Sequence, residues 1–201
     1  MEILNIIGHT KIILASNSPR RKDLLKQLGL AFEVKAKEID ESYPASFRPE
    51  AVAVYIAEKK ANSFFDNITD ELLIAADTIV AIDDEIFGKP VNTGDAKRML
   101  QKLSGRSHEV ITGVALLYRG KIYSFFEKTI VYFRELTNSE IEHYIETYKP
   151  FDKAGSYGIQ EWIGIIAVER IEGSYNNVVG LPTARLYREI GSFLSQSKSA
   201  L

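Results

Sequence analysis

Seven residues near the N-terminus, Ser16-Asn17-Ser18-Pro19-Arg20-Arg21-Lys22, set two serine hydroxyls ahead of three consecutive cations. Proline suits the first position of a helix, so the cations fall in a first helical turn. That end of a helix is partially positive and favours Asp and Glu, and each cation there costs roughly 0.3–1 kcal/mol. Open backbone N–H groups, hydroxyls and guanidinium forks together are what a polyphosphate needs. A local rule broken without local gain points to a functional site. The plainer alternative is a serine N-cap followed by solvated basic side chains.

Asp77 closes an apolar run, Leu72 to Ala76. At a strand end, its carboxylate would stand where α/β sheets place ligands. A turn carboxylate capping a loop fits it equally well. Glu33 falls inside a second apolar segment, where a surface charge on an edge strand is the plainer reading. Taken together, Glu33 and Asp77 offer oxygen ligands for a divalent metal, the usual partner of phosphate chemistry. Lys60 in Glu58-Lys59-Lys60 and Lys89 in Gly88-Lys89-Pro90 add cations. Alone, they read as a solvated helix face and an ordinary turn. Asp152-Lys153-Ala154-Gly155-Ser156-Tyr157-Gly158-Ile159-Gln160 is punctuated by glycines. It reads as a plain loop or as a base pocket, with Tyr157 for packing and the Gln160 amide as donor and acceptor. Neither GxxxxGK[ST] nor GxGxxG is present, so any nucleotide is held in another way.

The elements that must position these residues alternate. Lys11 to Ala15 predicts a buried strand, and Arg20 to Leu28 a helix that Gly29 ends. Phe32 to Ala36 predicts a strand, Glu38 to Phe47 a polar loop, and Pro49 to about Phe65 a helix. A strand follows at Leu72 to Ala76, stopping at Asp77-Thr78; Ile79 to Ile82 and Glu85 to Phe87 form a hairpin around Asp83-Asp84. Thr93 caps a helix to Leu103. A long hairpin turns at Arg119-Gly120, and Thr137 with Glu140 makes a capping box for a helix to Tyr148. Ile163 to Val168 predicts a strand, Pro182 starts a last helix, and residues 195–201 form a frayed polar tail. The fold class is α/β, with the long hairpin making the sheet mixed. One domain spans 1–194.

Composition narrows the functions. The 201 residues hold 25 Lys and Arg against 27 Asp and Glu, a net charge of -2, so no general nucleic-acid binder is expected. Cysteine is absent, which removes disulfides, thiolate catalysis and cluster chemistry. His9, His108 and His143 are scattered and show no metal-binding pattern. Ile3 to Ile7 is too short for a signal-peptide core, and no apolar run approaches the roughly 20 residues of a membrane span. The expectation is a cytoplasmic protein with no membrane partner.

At these positions the chain resembles the Maf family of nucleoside triphosphate pyrophosphatases. The matching segments are Ser16–Arg21, Phe32–Glu33, Ala57–Ala61, Ala75–Thr78, Gly88–Pro90, Leu103–Val114, Asp152–Gln160 and Val178–Pro182, in family order. The resemblance implies cleavage of a nucleoside triphosphate to the monophosphate and pyrophosphate, with Mg²⁺ or Mn²⁺ and often a homodimer. It implies Asp77 as general base, and Ser16, Arg20, Arg21, Lys60 and Lys89 on the phosphates. Glu33 is implied near the metal and water, and Asp152 and Lys153 match the substrate-binding motif. The Asp152–Gln160 segment is similar to the branch acting on dTTP and UTP, with Arg20, Thr78 and Gln160 as its specificity positions. The implied fold is an elongated mixed sheet flanked by helices, in two lobes around a cleft. Glu161 stands where that branch usually has Gly, an expected source of bulk or negative charge at the pocket rim, and Ala75 where the family often has Gly. A nucleotide-binding regulator of cell division or septum formation, with little turnover, is the alternative function.

Overall fold

A computed structural model describes residues 6–8, 10–83 and 85–198; residues 1–5, His9, Asp84 and residues 199–201 lie outside it. Strand β1 (Ile12–Leu14) is buried at every position. It pairs in parallel with β2 (Phe32–Val34) on one side and β3 (Leu72–Ile82) on the other, with Ile13 opposite both Glu33 and Leu73. Helix α1 (Pro19–Gln27) connects β1 to β2. Its Ser18 hydroxyl accepts the Arg21 N–H at 3.5 Å, and no acidic residue stands in the first turn.

Helix α2 (Pro49–Asn62) buries Val52, Ala53, Ile56, Ala57 and Ala61, a stripe at helical spacing. Ala57 and Ala61 share one buried cluster with Ile13, Leu73, Ala75 and Ala115. A Cβ placed on Gly113 would fall 2.2 Å from the Ala53 carbonyl oxygen. Only a bare backbone there lets the helix lie flush against β5 (Ser107–Tyr118).

The seven-stranded sheet runs β2-β1-β3-β5-β6-β7, where β6 is Lys121–Phe133 and β7 is Val168–Glu172. Strand β4 (Glu85–Phe87) pairs with β3. The β3–β4 and β6–β7 pairs are antiparallel, so the sheet is mixed and the fold is α/β, as expected. Two compact units divide the chain. The first comprises Met1–Asp77, Thr112–Glu127 and Gly180–Leu201; the second comprises Thr78–Ile111 and Lys128–Val179. The first holds α1, α2 and the last helix, α7 (Thr183–Lys198). The second holds α3 (Thr93–Leu103), α4 (Asn138–Tyr148), α5 (Trp162–Ala167) and α6 (Tyr175–Val179). The Thr137–Glu140 capping box opens α4. Among the described residues, no helix is long and apolar enough to cross a membrane.

Four expectations change. The helix expected to be capped by Thr93 is capped by Asn92, whose side-chain oxygen accepts the Asp95 N–H at 2.9 Å, and Thr93 is its first residue. The strand expected to stop at Asp77 runs unbroken to Ile82, which puts Asp77 and Thr78 in its middle. The strand expected at Ile163 to Val168 is helix α5, and the edge strand begins only at Val168. Ile163 and Ala167 are buried while Ile165 is 79% exposed, a four-residue spacing that a strand would not give. The frayed tail expected from Ser195 continues α7 through Lys198, with the Ser195 hydroxyl donating to the Gly191 carbonyl at 2.8 Å.

Candidate functional site

In the first unit the polar side chains gather on one ammonium. Residues Leu73, Ala75 and Asp77 share a face of β3, because strand residues alternate. The first two pack on α2, and Asp77 continues that face as a carboxylate. Lys60, near the end of α2, reaches it with Nζ 2.7 Å from Asp77 Oδ1. The same Nζ lies 2.8 Å from Glu41 Oε1. The Lys60 and Asp77 side chains are 16% and 14% exposed, so Lys60 is no solvated surface cation.

Arg21 stands in the same field. Its Nε donates to the Gly180 carbonyl at 2.8 Å, and Nη1 donates to the Ser16 hydroxyl at 3.4 Å. Burial lowers its pKa, while the charges of Asp77 and, less strongly, Glu41 oppose that shift. An arginine stays protonated under such shifts. Ser16 is buried and also accepts the Ser18 N–H at 3.2 Å. The first turn of α1 is thus built as expected, with Arg20 and Arg21 in it and no local acid.

Glu33 does not join this group. It stands opposite Leu73 through β1, four residues before Asp77 along β3 and two strands away. At about 3.3 Å per residue and 4.8 Å per strand, the two backbones are on the order of 16 Å apart. One ion cannot be held directly by both. Glu33 instead pairs with Lys11 at 3.0 Å and is about half exposed. The carboxylate that accompanies Asp77 is Glu41, from the segment read only as a polar loop. The signal available was the acidic pair Asp40-Glu41 inside that loop, which periodicity does not single out.

In the second unit Gly88 and Gly155 are joined, the Gly155 N–H donating to the Gly88 carbonyl at 3.0 Å. This ties exposed Lys89 to the 152–160 segment. Lys153 is 7% exposed overall, and its Nζ lies 2.6 Å from Asp152 and 3.0 Å from Glu161. Glu161 therefore turns onto a cation as well as carrying charge. Tyr157 is no open stacking surface. It is buried, its hydroxyl is 2.8 Å from His108 Nε2, and its ring meets Phe133. Gln160 is exposed, and Thr78 is half-buried. Ser156 holds a left-handed backbone (φ 61), a strained conformation of the kind that clusters at functional sites.

Two carboxylates sharing one ammonium form a cation-holding pair. Among the described residues no group of three or more His, Cys, Asp or Glu side chains could hold a metal ion. An oxygen pair of this size suits an ion that completes its shell with water and phosphate.

The family described as Maf-like protein matches residues 11–193. A dTTP/UTP pyrophosphatase of Phocaeicola vulgatus is 56% identical over 182 residues, covering 90% of this chain and 94% of that protein. One of Porphyromonas gingivalis is 50% identical over 195 residues, 95% of this chain and 98% of that protein. One of Cytophaga hutchinsonii is 45% identical over 187 residues, 93% and 86%. A solved HAM1 protein from Coxiella burnetii superposes with a TM-score of 0.45 at 14% identity, covering 93% of this chain and 99% of that one.

Proposed function

The chain belongs to the Maf-like protein family, and from that premise we propose that it hydrolyses dTTP and UTP to the nucleoside monophosphate and pyrophosphate. It is a hydrolase of nucleoside triphosphates, in keeping with relatives of that name at 45–56% identity over most of its length. The observation that carries the chemistry is the Lys60 ammonium shared by Asp77 and Glu41.

In this reading Asp77 is the general base that takes a proton from the attacking water. Ser16, Arg20, Arg21, Lys60 and Lys89 bind the phosphates, and Asp152 and Lys153 belong to the substrate-binding set. Arg20, Thr78 and Gln160 set specificity. Uracil and thymine present an N3–H beside a carbonyl, which an amide can match with its oxygen and its NH₂. Asp77 and Glu41, rather than Glu33, would hold Mg²⁺ or Mn²⁺. When bound, such an ion neutralises charge developing on the leaving pyrophosphate. With the carboxylates so engaged, Lys60 would be free to pair with phosphate. The reading makes this a cytoplasmic enzyme, with a homodimer as the assembly to test by light scattering.

The test is a panel of dTTP, UTP, dCTP, ATP and 7-methyl-GTP with Mg²⁺ or excess EDTA, and products separated by chromatography. The expected result is monophosphate and pyrophosphate from dTTP and UTP, lost in EDTA. A preference for a purine, or full turnover in EDTA, contradicts it.

A further inference from the structure

Tyr144 lies on α4, outside every group described above, and is fully buried. Its hydroxyl nevertheless does two things at once. It donates to Glu161 Oε2 and accepts the Gly158 N–H at 3.1 Å. Gly158 and Glu161 are the two ends of the turn that carries Gln160. The Glu161 N–H closes that turn by donating to the Gly158 carbonyl at 3.0 Å. Helix α5 starts directly on Glu161, whose carbonyl accepts from Gly164 at 2.9 Å and Ile165 at 3.2 Å. The other oxygen of the Glu161 carboxylate holds Lys153 at 3.0 Å.

Gly158 is the point where these parts crowd together. A Cβ there would stand 3.0 Å from Lys153 Cε, 3.0 Å from Glu161 Cδ and 3.2 Å from Glu161 Oε2. The charged pair is thus laid directly over the turn's backbone. Burial and the Glu161 bond both push the Tyr144 hydroxyl's pKa well above its ordinary value, so it stays a donor at working pH.

We infer that Tyr144 is a positioning residue for base selection: its single hydroxyl fixes the Gly158–Glu161 turn, and with it the backbone that carries the Gln160 amide. The inference rests on the proposed role of Gln160 in reading the base. A side-chain amide discriminates uracil from cytosine only while its oxygen and NH₂ are held one way round. A turn free to shift lets the amide serve either ring.

The experiment compares kcat/KM for UTP and dCTP in the wild type, Tyr144→Phe, Glu161→Gln and Glu161→Ala, with thermal melting of each. Tyr144→Phe keeps the ring and removes the hydroxyl. The UTP-to-dCTP ratio should fall about three- to tenfold, the worth of a lost buried hydrogen bond, and mainly through a higher KM for UTP. Glu161→Gln keeps an acceptor for Tyr144 and should hold the ratio within about twofold, whereas Glu161→Ala should narrow it as Tyr144→Phe does. A Tyr144→Phe protein that melts lower but keeps the wild-type ratio overturns the inference, since a purely structural tyrosine would behave that way. If Tyr144→Phe does not fold, the Glu161 pair decides: narrowing in Ala but not Gln supports the link, and equal behaviour overturns it. A wild type indifferent to UTP and dCTP removes the reading of Gln160 itself, and is seen before any variant is made.

Discussion

Lys60 Nζ lies 2.7 Å from Asp77 Oδ1, a bond from the last turn of a helix to the middle of a buried strand. Glu41 Oε1 completes the arrangement, 2.8 Å from the same Nζ. One positive charge holds two carboxylates that would otherwise repel, and a divalent ion could do the same.

Lys60→Met tests that equivalence without a turnover assay. Removing the ammonium leaves Asp77 and Glu41 facing one another. The variant's melting temperature should be lower than the wild type's in EDTA and should rise more steeply with millimolar Mg²⁺. Equal Mg²⁺ responses in the two proteins would mean that the carboxylates do not share an ion.

Arg21 combines a structural bond with a place in the phosphate-binding turn. Arg21→Lys keeps the charge but cannot reproduce the guanidinium donor aimed at the Gly180 carbonyl. Urea unfolding should show a loss of about 1–3 kcal/mol without nucleotide. An unchanged midpoint would place that bond among those of no consequence for stability.

His108 gives stability an acid limb. Burial pushes its imidazole from 6.5 down to about 3, and its Nδ1 has no hydrogen-bond partner among the described residues. Between those values the unfolded chain binds a proton that the folded chain does not. Stability from this group is therefore complete above pH 6.5 and is lost as pH falls toward 3, at up to about 1.4 kcal/mol per pH unit. Chemical denaturation at pH 7 and pH 5 should show that slope in the wild type and a shallower one in His108→Gln. Parallel slopes would assign the acid sensitivity elsewhere.

The local signals in the sequence hold up where a residue's partner is close in the chain. Thr137 and Glu140 bond each other across three residues, and the helix starts where they say. Pro19 and the acid-free first turn of α1 are likewise local. Ile163 to Val168 misled because a six-residue apolar run carries too little periodicity to separate a helix from a strand. A carboxylate that interrupts an apolar run reads as a strand end, yet Lys60 lets the strand continue through Asp77. Glu41 and Tyr144 were not legible at all. The first meets Asp77 through a helix lysine, and the second is a buried ring whose hydroxyl finds its partners 14 and 17 residues away.

The most direct measurement is kcat on UTP for Asp77→Asn beside the wild type, with melting of both. Asn is nearly isosteric and leaves Glu41 to pair with Lys60, but it cannot take a proton from water. A loss of roughly 10²–10⁴-fold with the melting temperature largely preserved is the predicted result. A well-folded variant that keeps more than about half of the wild-type kcat would show that Asp77 is not the base.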